Sequence, residues 1–309
     1  MIELEHATKK YGVVTALRDV SLRVQKGETI GLLGQNGAGK TTALNLMTGY
    51  FPPTAGSVRI GGKDMRSAAR ECRRMIGYLP EQPPLYDDMT IAEYLKFACA
   101  LREVKRQGIS AHVNEIMEVC GLTEVRKRLL GHLSKGYRQR VGIAQALCGS
   151  PEILIFDEPT VGLDPRQTVE IRRLIRDLSK DHTVVFSSHI LSEVQQLCSR
   201  VIILNEGRMA LDYSSSCPQD DMVRIRVEIA GDSEKTMNRL NQLDADIQAE
   251  LLPGTDPGIT EARLVLSRKG DGGVETDRVF RLLAASGMPV RMMKEERETL
   301  EEVFLRVSG

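Results

Sequence analysis

The chain has 309 residues, enough for two domains, with 42 basic and 42 acidic side chains and a formal net charge of zero. Balanced charge argues against a broad polyanion-binding surface, so no nucleic-acid partner is expected. No run approaches the ~18 apolar residues needed to span a bilayer, and Met1-Ile2-Glu3-Leu4-Glu5 lacks the basic start and apolar core of a signal peptide. A soluble intracellular protein is expected, meeting a membrane only through a partner. The six cysteines form no C-x-x-C pair and read as reduced thiols packed as small apolar side chains.

In chain order, Ile2 and Leu4 alternate with Glu3 and Glu5, and Val20, Leu22 and Val24 alternate with Ser21 and Arg23. That period of two predicts half-buried antiparallel strands. Tyr11 lies between the first two strand candidates, either as core or as a ring free to stack on a base. Thr29-Ile30-Gly31-Leu32-Leu33 reads as a buried strand and Ala43 to Met47 as a helix. Between them stands Gly34-Gln35-Asn36-Gly37-Ala38-Gly39-Lys40-Thr41-Thr42. Strand, Gly-x-x-x-x-Gly-Lys-Thr, helix is the context of a phosphate-binding P-loop. Its glycines let several N–H groups converge on one anion, and the helix N-terminus adds partial positive charge. Lys40 would reach the β- and γ-phosphates, and the Thr41 hydroxyl would bind Mg²⁺.

Turn residues at 52–56 and 61–62 bracket a short alternating strand, and Met75 to Leu79 reads as another, ended by Pro80-Glu81-Gln82-Pro83-Pro84. Thr90 and Glu93 have capping-box spacing. Residues 90 to 147 contain apolar positions at helical spacing and no convincing strand, which marks a mainly helical insertion at about 82–148. Ile153-Leu154-Ile155-Phe156 reads as a buried parallel strand. Asp164 followed by Pro165 starts a helix. Thr183 to Ser187 is a further buried strand, with His189 leaving its end, and Val201 to Leu204 and Gly207 to Ala210 close a first domain of residues 1–212.

A linker is expected at 213–221. In residues 222–309 the order of patterns is β-α-β-β-α-β: strands near 223–229, 247–252, 262–267 and 289–294, and helices near 233–243 and 275–286. This is the order of a ferredoxin-like split βαβ unit, read as an accessory or regulatory α+β domain. A last amphipathic helix is expected from Thr299, with Leu300, Val303, Phe304 and Val307 on one face.

A nucleotide triphosphatase needs a carboxylate near Mg²⁺ and a group that orients the attacking water. Asp157 and Glu158 close the buried strand from Ile153, at the sheet edge where open α/β folds bind ligands. Asp157 suits the metal and Glu158 the water.

Leu133-Ser134-Lys135-Gly136-Tyr137-Arg138-Gln139-Arg140 resembles the signature segment of ABC ATPases, usually Leu-Ser-Gly-Gly-Gln. With the P-loop before it and Ile-Phe-Asp-Glu-Pro-Thr after it, the order over residues 1–212 is that of an ABC nucleotide-binding domain. The resemblance implies an α/β P-loop NTPase core with an antiparallel β subdomain and a helical subdomain, and an ATP hydrolase that uses ATP and Mg²⁺. By it, Tyr11 stacks on adenine, Asp157 holds the metal, Glu158 is the general base and His189 contacts the γ-phosphate. Ser134 and Gly136 contact the ATP held by an opposite subunit, and Asp164 crosses to that subunit. The sequence departs from the family at Lys135 and Tyr137, which replace Gly and Gln. It also carries Glu81 where the family has a metal- and water-contacting glutamine, with Gln82 next door. The role is left open between the two.

The leading expectation is the energy-coupling subunit of a membrane transporter, peripheral on the inner face of the membrane. Its partners would be a second copy or a paralogous ATPase subunit, and separate permease subunits. Residues 82–102 would receive the permease. The ending Thr299-Leu300-Glu301-Glu302-Val303-Phe304-Leu305 resembles that of subunits paired with ABC-2-type permeases, many of them exporters. The alternatives are a soluble ABC ATPase acting without a permease and a regulatory nucleotide sensor.

Overall fold

The computed structural model describes residues 1–214, 222–253, 258–267 and 274–296, with 301, 302, 304 and 306. The chain divides into two compact units, Met1–Ser216 with Arg306–Gly309, and Cys217–Leu305.

The first unit opens with β1 (Ile2–Tyr11) and β2 (Val14–Val24), an antiparallel pair. Leu17, Val20, Leu22 and Val24 are buried while Arg18, Ser21 and Arg23 face out, as the alternation requires. The pairing slips between Leu4 and Ala7, where His6 and, opposite it, Asp19 take left-handed φ values of 48° and 52°. Then follow β3 (Thr29–Leu33), α1 (Lys40–Met47), β4 (Ala55–Ile60), β5 (Lys63–Asp64), α2 (Ala69–Arg74) and β6 (Ile76–Leu79). Strands β2-β1-β4-β5 make one antiparallel sheet.

The helical insertion holds α3 (Ile91–Leu101), α4 (Ile109–Val119) and α5 (Lys135–Leu147). Thr90 caps α3 with both halves of the capping box in place: its hydroxyl accepts from the Glu93 N–H, and Glu93 accepts from the Thr90 N–H at 2.9 Å. The chain returns through β7 (Ile153–Phe156), α6 (Pro165–Leu178), β8 (Thr183–Ser188), α7 (Leu191–Leu197), β9 (Arg200–Asn205) and β10 (Arg208–Ser214). The second sheet has the order β10-β9-β3-β8-β7-β6, with β9, β3, β8, β7 and β6 parallel and β10 antiparallel at one edge. Every residue of β7 and of β8 is buried, so both faces of the sheet are covered there. The carboxyl ends of β3, β7 and β8 therefore deliver Gly34, Asp157 and His189 toward one edge.

The second unit contains β11 (Met222–Ala230), α8 (Ser233–Leu240), β12 (Ile247–Leu251), β13 (Ile259–Ser267), α9 (Val274–Ala285) and β14 (Val290–Glu296). Its antiparallel sheet runs β12-β13-β11-β14, the split βαβ topology. Val223, Ile225, Val227 and Ile229 pack with Leu240 of α8 and with Val279 and Leu283 of α9.

Some boundaries differ from the sequence reading. The helix read from Ala43 begins at Lys40, and β13 begins three residues before the strand read from Ala262. Tyr213 and Ser214, read as linker, complete β10. The remainder of that linker, from 215, lies outside the described residues. So do Thr299, Leu300, Val303 and Val307 of the expected last helix.

Candidate active site

The loop after β3 and the first turn of α1 form one wall of an open cleft of about 450 Å³. Gln35, Asn36, Gly37, Gly39, Lys40, Thr41 and Thr42 line it, with Gly34 and Ala38 buried at its base. Gly39 is the N-cap of α1 at φ 103°, and a Cβ there would lie 2.8 Å from the Ala16 carbonyl, so only glycine fits. Because the helix begins at Lys40, the N–H groups of Lys40, Thr41 and Thr42 have no carbonyl within the helix to meet. They form an anion site with the helix dipole behind it.

The opposite wall holds Glu81, Glu158, Val161 and His189. Of the two residues between which the sequence left a choice, Glu81 lines the cleft and Gln82 is not among its lining residues. Lys40 is 5% exposed; its Nζ donates to the carbonyls of Gly34 (2.7 Å) and Gln35 (3.2 Å) and pairs with Glu158 Oε1 at 3.2 Å. Glu158 Oε2 lies 2.9 Å from His189 Nδ1. Glu158 takes a left-handed φ of 47°, a cost that a non-glycine residue bears where the surroundings fix it.

Those surroundings include Ser187, which the sequence reading did not single out. Its hydroxyl accepts from the Glu158 N–H at 2.9 Å and donates to Asp157 Oδ1 at 2.6 Å. The signal was present: a pair of serines follows the apolar run Val184-Val185-Phe186 and ends the strand just before His189. Asp157 is 1% exposed. Burial pushes its carboxyl above the ordinary carboxylate range, opposed by hydrogen bonds from the Ser187 and Thr41 hydroxyls, while the neighbouring Glu158 charge raises it further and Lys40 lowers it. A carboxylate so placed is short of positive charge and would gain from a cation beside it.

The donor chemistry fits Mg²⁺. Thr41 and Asp157 bring a hydroxyl and a carboxylate together, and no cluster of three or more His, Cys, Asp or Glu side chains able to hold a metal occurs among the described residues. Mg²⁺ is typically held by one or two protein oxygens, with water and substrate phosphates completing its shell.

Other expected site residues lie elsewhere. Tyr11 is 42% exposed, its ring edge-on to Phe51 with centroids 5.9 Å apart, and is thus not a core residue; it is not among those lining the cleft. Ser134 is the N-cap of α5, exposed, with no capping bond from its side chain. Gly136 packs against Gln167, into whose side chain a Cβ would project at 2.6 Å. Asp164 caps α6 by accepting from the Gln167 N–H at 2.9 Å. None of Ser134, Gly136 and Asp164 lines the cleft.

A parallel sheet whose carboxyl edge carries a glycine-rich loop, a buried lysine and adjacent acids defines a P-loop nucleotide triphosphatase. A family model described as ABC transporter matches residues 17–161. The bacitracin transport ATP-binding protein BcrA of Enterococcus faecalis is 32% identical over 316 residues, covering 100% of this chain and 96% of that one. The ABC transporter ATP-binding protein YxlF of Bacillus subtilis (strain 168) is 38% identical over 68% of this chain and 70% of its own length. Among solved structures, the dimeric ABC transporter cassette MJ0796 superposes with a TM-score of 0.64 at 28% identity, covering 69% of this chain and 98% of that one. Its post-hydrolysis dimer bound to ADP and Pi gives 0.63 at the same identity and coverage of this chain. The chain belongs to the ABC transporter ATP-binding family, and is an ATP-binding, ATP-hydrolysing member of it.

Proposed function

We propose that two such subunits, identical or paralogous, close on two ATP molecules and thereby drive a membrane exporter of the ABC-2 type. The observation that carries this reading is the division of the machinery. The P-loop, Glu158 and His189 share one cleft, while Ser134, Gly136 and Asp164 lie outside it. A signature turn that cannot serve its own cleft is free to complete a partner's.

In this reading the loop N–H groups and Lys40 bind the β- and γ-phosphates. Thr41 and Asp157, with Glu81 at the cleft wall, would hold Mg²⁺, which when bound would neutralise phosphate charge. Glu158 accepts a proton from the attacking water, and His189, held by Glu158, senses the γ-phosphate. ATP acts through its higher affinity for the closed pair.

Coupling to a permease is supported by the helical insertion, where Tyr86, Phe97 and Leu101 are 52%, 36% and 68% exposed, and the rings of Tyr86 and Phe97 are 5.7 Å apart. No helix among the described residues is long and apolar enough to cross a membrane. In the proposed reading the membrane path is supplied by separate permease subunits, with this chain on the inner face. A transport role is supported by the likeness over 100% of this chain to a bacitracin transport ATP-binding protein, and the export direction by the likeness over 68% of this chain to a linearmycin resistance ATP-binding protein.

The test is light scattering of Glu158→Gln with MgATP, alone and with its permease. A nucleotide-dependent pair without turnover is expected. Single subunits under both conditions overturn the proposal.

A further inference from the structure

Glu193, the third residue of α7, is a carboxylate only 4% exposed that the chemistry above does not use. Its Oε2 accepts from Thr160 Oγ1 at 2.8 Å and from Ser188 Oγ at 2.9 Å, and both of those residues are themselves buried. It forms no ion pair among the described residues. A carboxylate buried without a cation is costly, and the two hydroxyl donors are what offset it.

Those donors belong to the two segments that carry the reacting groups. Thr160 stands two residues beyond Glu158, and Ser188 immediately precedes His189. Successive side chains at the end of β8 point to opposite faces. Ser187 therefore grips Asp157 and the Glu158 amide on one side. Ser188 grips Glu193 on the other, and Glu193 reaches back to Thr160. The turn from Asp157 to Thr160 is fastened at both ends to one strand end, the same strand end that presents His189 to Glu158.

We propose that Glu193 is a positioning residue for ATP hydrolysis: a shared acceptor that fixes the Glu158 turn and the His189 strand end in one register. It is not among the residues lining the cleft, so it acts through Glu158 and His189. The inference rests on the roles proposed for those two.

The experiment measures kcat and ATP Kd for Glu193→Ala and Glu193→Gln. The glutamine amide oxygen can accept both hydroxyl bonds, so Glu193→Gln is expected within about threefold of the parent kcat. Glu193→Ala should lose about tenfold or more in kcat with Kd unchanged, since the phosphate loop is untouched. A parent-like kcat in Glu193→Ala, or an equal loss in Glu193→Gln, overturns the proposal. Should Glu193→Ala not fold, Thr160→Val and Ser188→Ala decide: a kcat loss at intact Kd supports it, and parent-like turnover in both overturns it. Glu158→Gln run alongside separates the two readings. If that variant turns over normally, the Glu158 assignment fails. If it is inert while Glu193→Ala is fully active, only the Glu193 inference fails.

Discussion

Lys40 Nζ lies 3.2 Å from Glu158 Oε1, with the two side chains 6% and 9% exposed. The P-loop cation and the proposed base thus neutralise one another in a place where neither charge could stand alone. In the proposed reading, a γ-phosphate entering the loop would compete for the same ammonium and release Glu158 toward the cleft. Removing one member of a buried pair typically costs about 3–5 kcal/mol, because the other is left uncompensated. Lys40→Ala is therefore expected to lose stability as well as ATP affinity. The double variant Lys40→Ala/Glu158→Gln should recover at least about 1 kcal/mol of that loss in urea unfolding, the sign of direct coupling. Strictly additive losses would show that the pair is not coupled.

Ser187→Ala removes a hydroxyl that serves the Asp157 carboxylate and the Glu158 backbone N–H at once. The Glu158 N–H loses its acceptor and Asp157 loses a donor, both in buried positions. An unsatisfied buried group costs about 1–3 kcal/mol, and here the cost falls on a residue already at left-handed φ. Calorimetry should show a lower Tm, and steady-state assays a kcat reduced by about tenfold with KM for ATP little changed. A raised KM at normal kcat would place Ser187 in ATP binding instead.

The elements that set this geometry were unequally visible in the sequence. The P-loop and the acids after Phe156 were legible because their chemistry is tied to short, ordered spacing and to an apolar strand that periodicity reveals. Alternation also showed β2 and β11, where one face is buried and the other wet. The start of α1 was hidden, since Lys40, Thr41 and Thr42 belong to the phosphate motif and carry no apolar period. Helix α7 has seven residues, too few for a 3.6-residue period to stand out. Thr260, at the hidden start of β13, is polar yet fully buried, its hydroxyl donating to the Gly231 carbonyl at 3.0 Å. The hydroxyl bonds of Ser187 and Glu193 join segments some thirty residues apart, and spacing along a chain does not report such pairings.

Gly136→Ala separates folding from pairing. An added Cβ meets the Gln167 side chain at 2.6 Å, and that side chain is flexible enough to move aside. Alanine also favours the helix by roughly 0.5–1 kcal/mol, so Tm should change little, and ATP Kd measured on the unpaired subunit should stay at the parent value. If the signature turn completes a partner's site, hydrolysis and ATP-dependent pairing should both fall by about tenfold or more. Normal turnover with normal pairing would remove Gly136 from the interface.

Arg102 ends α3, and its guanidinium donates to four carbonyls: Cys148 (3.2 Å), Arg73 (2.9 Å), Arg74 (3.1 Å) and Ile76 (2.8 Å). Burial lowers its pKa from the ordinary value, so it bears a desolvation cost that those carbonyl bonds offset. The four acceptors come from the end of α2, the start of β6 and the end of α5, so one side chain ties the helical insertion to the parallel sheet. Lysine keeps the charge but has no planar fork and cannot reach several carbonyls in one plane. Hydrogen bonds to charged groups contribute about 1.5–3 kcal/mol each, net of exchange with water, and lysine keeps part of that through the bonds its ammonium can still make. Arg102→Lys is expected to cost about 2 kcal/mol in urea unfolding and to speed amide exchange in α2 and β6. ATP Kd should stay at the parent value, because the P-loop makes none of these bonds. Unchanged exchange at residues 69–79 would mean that packing alone joins the insertion to the sheet.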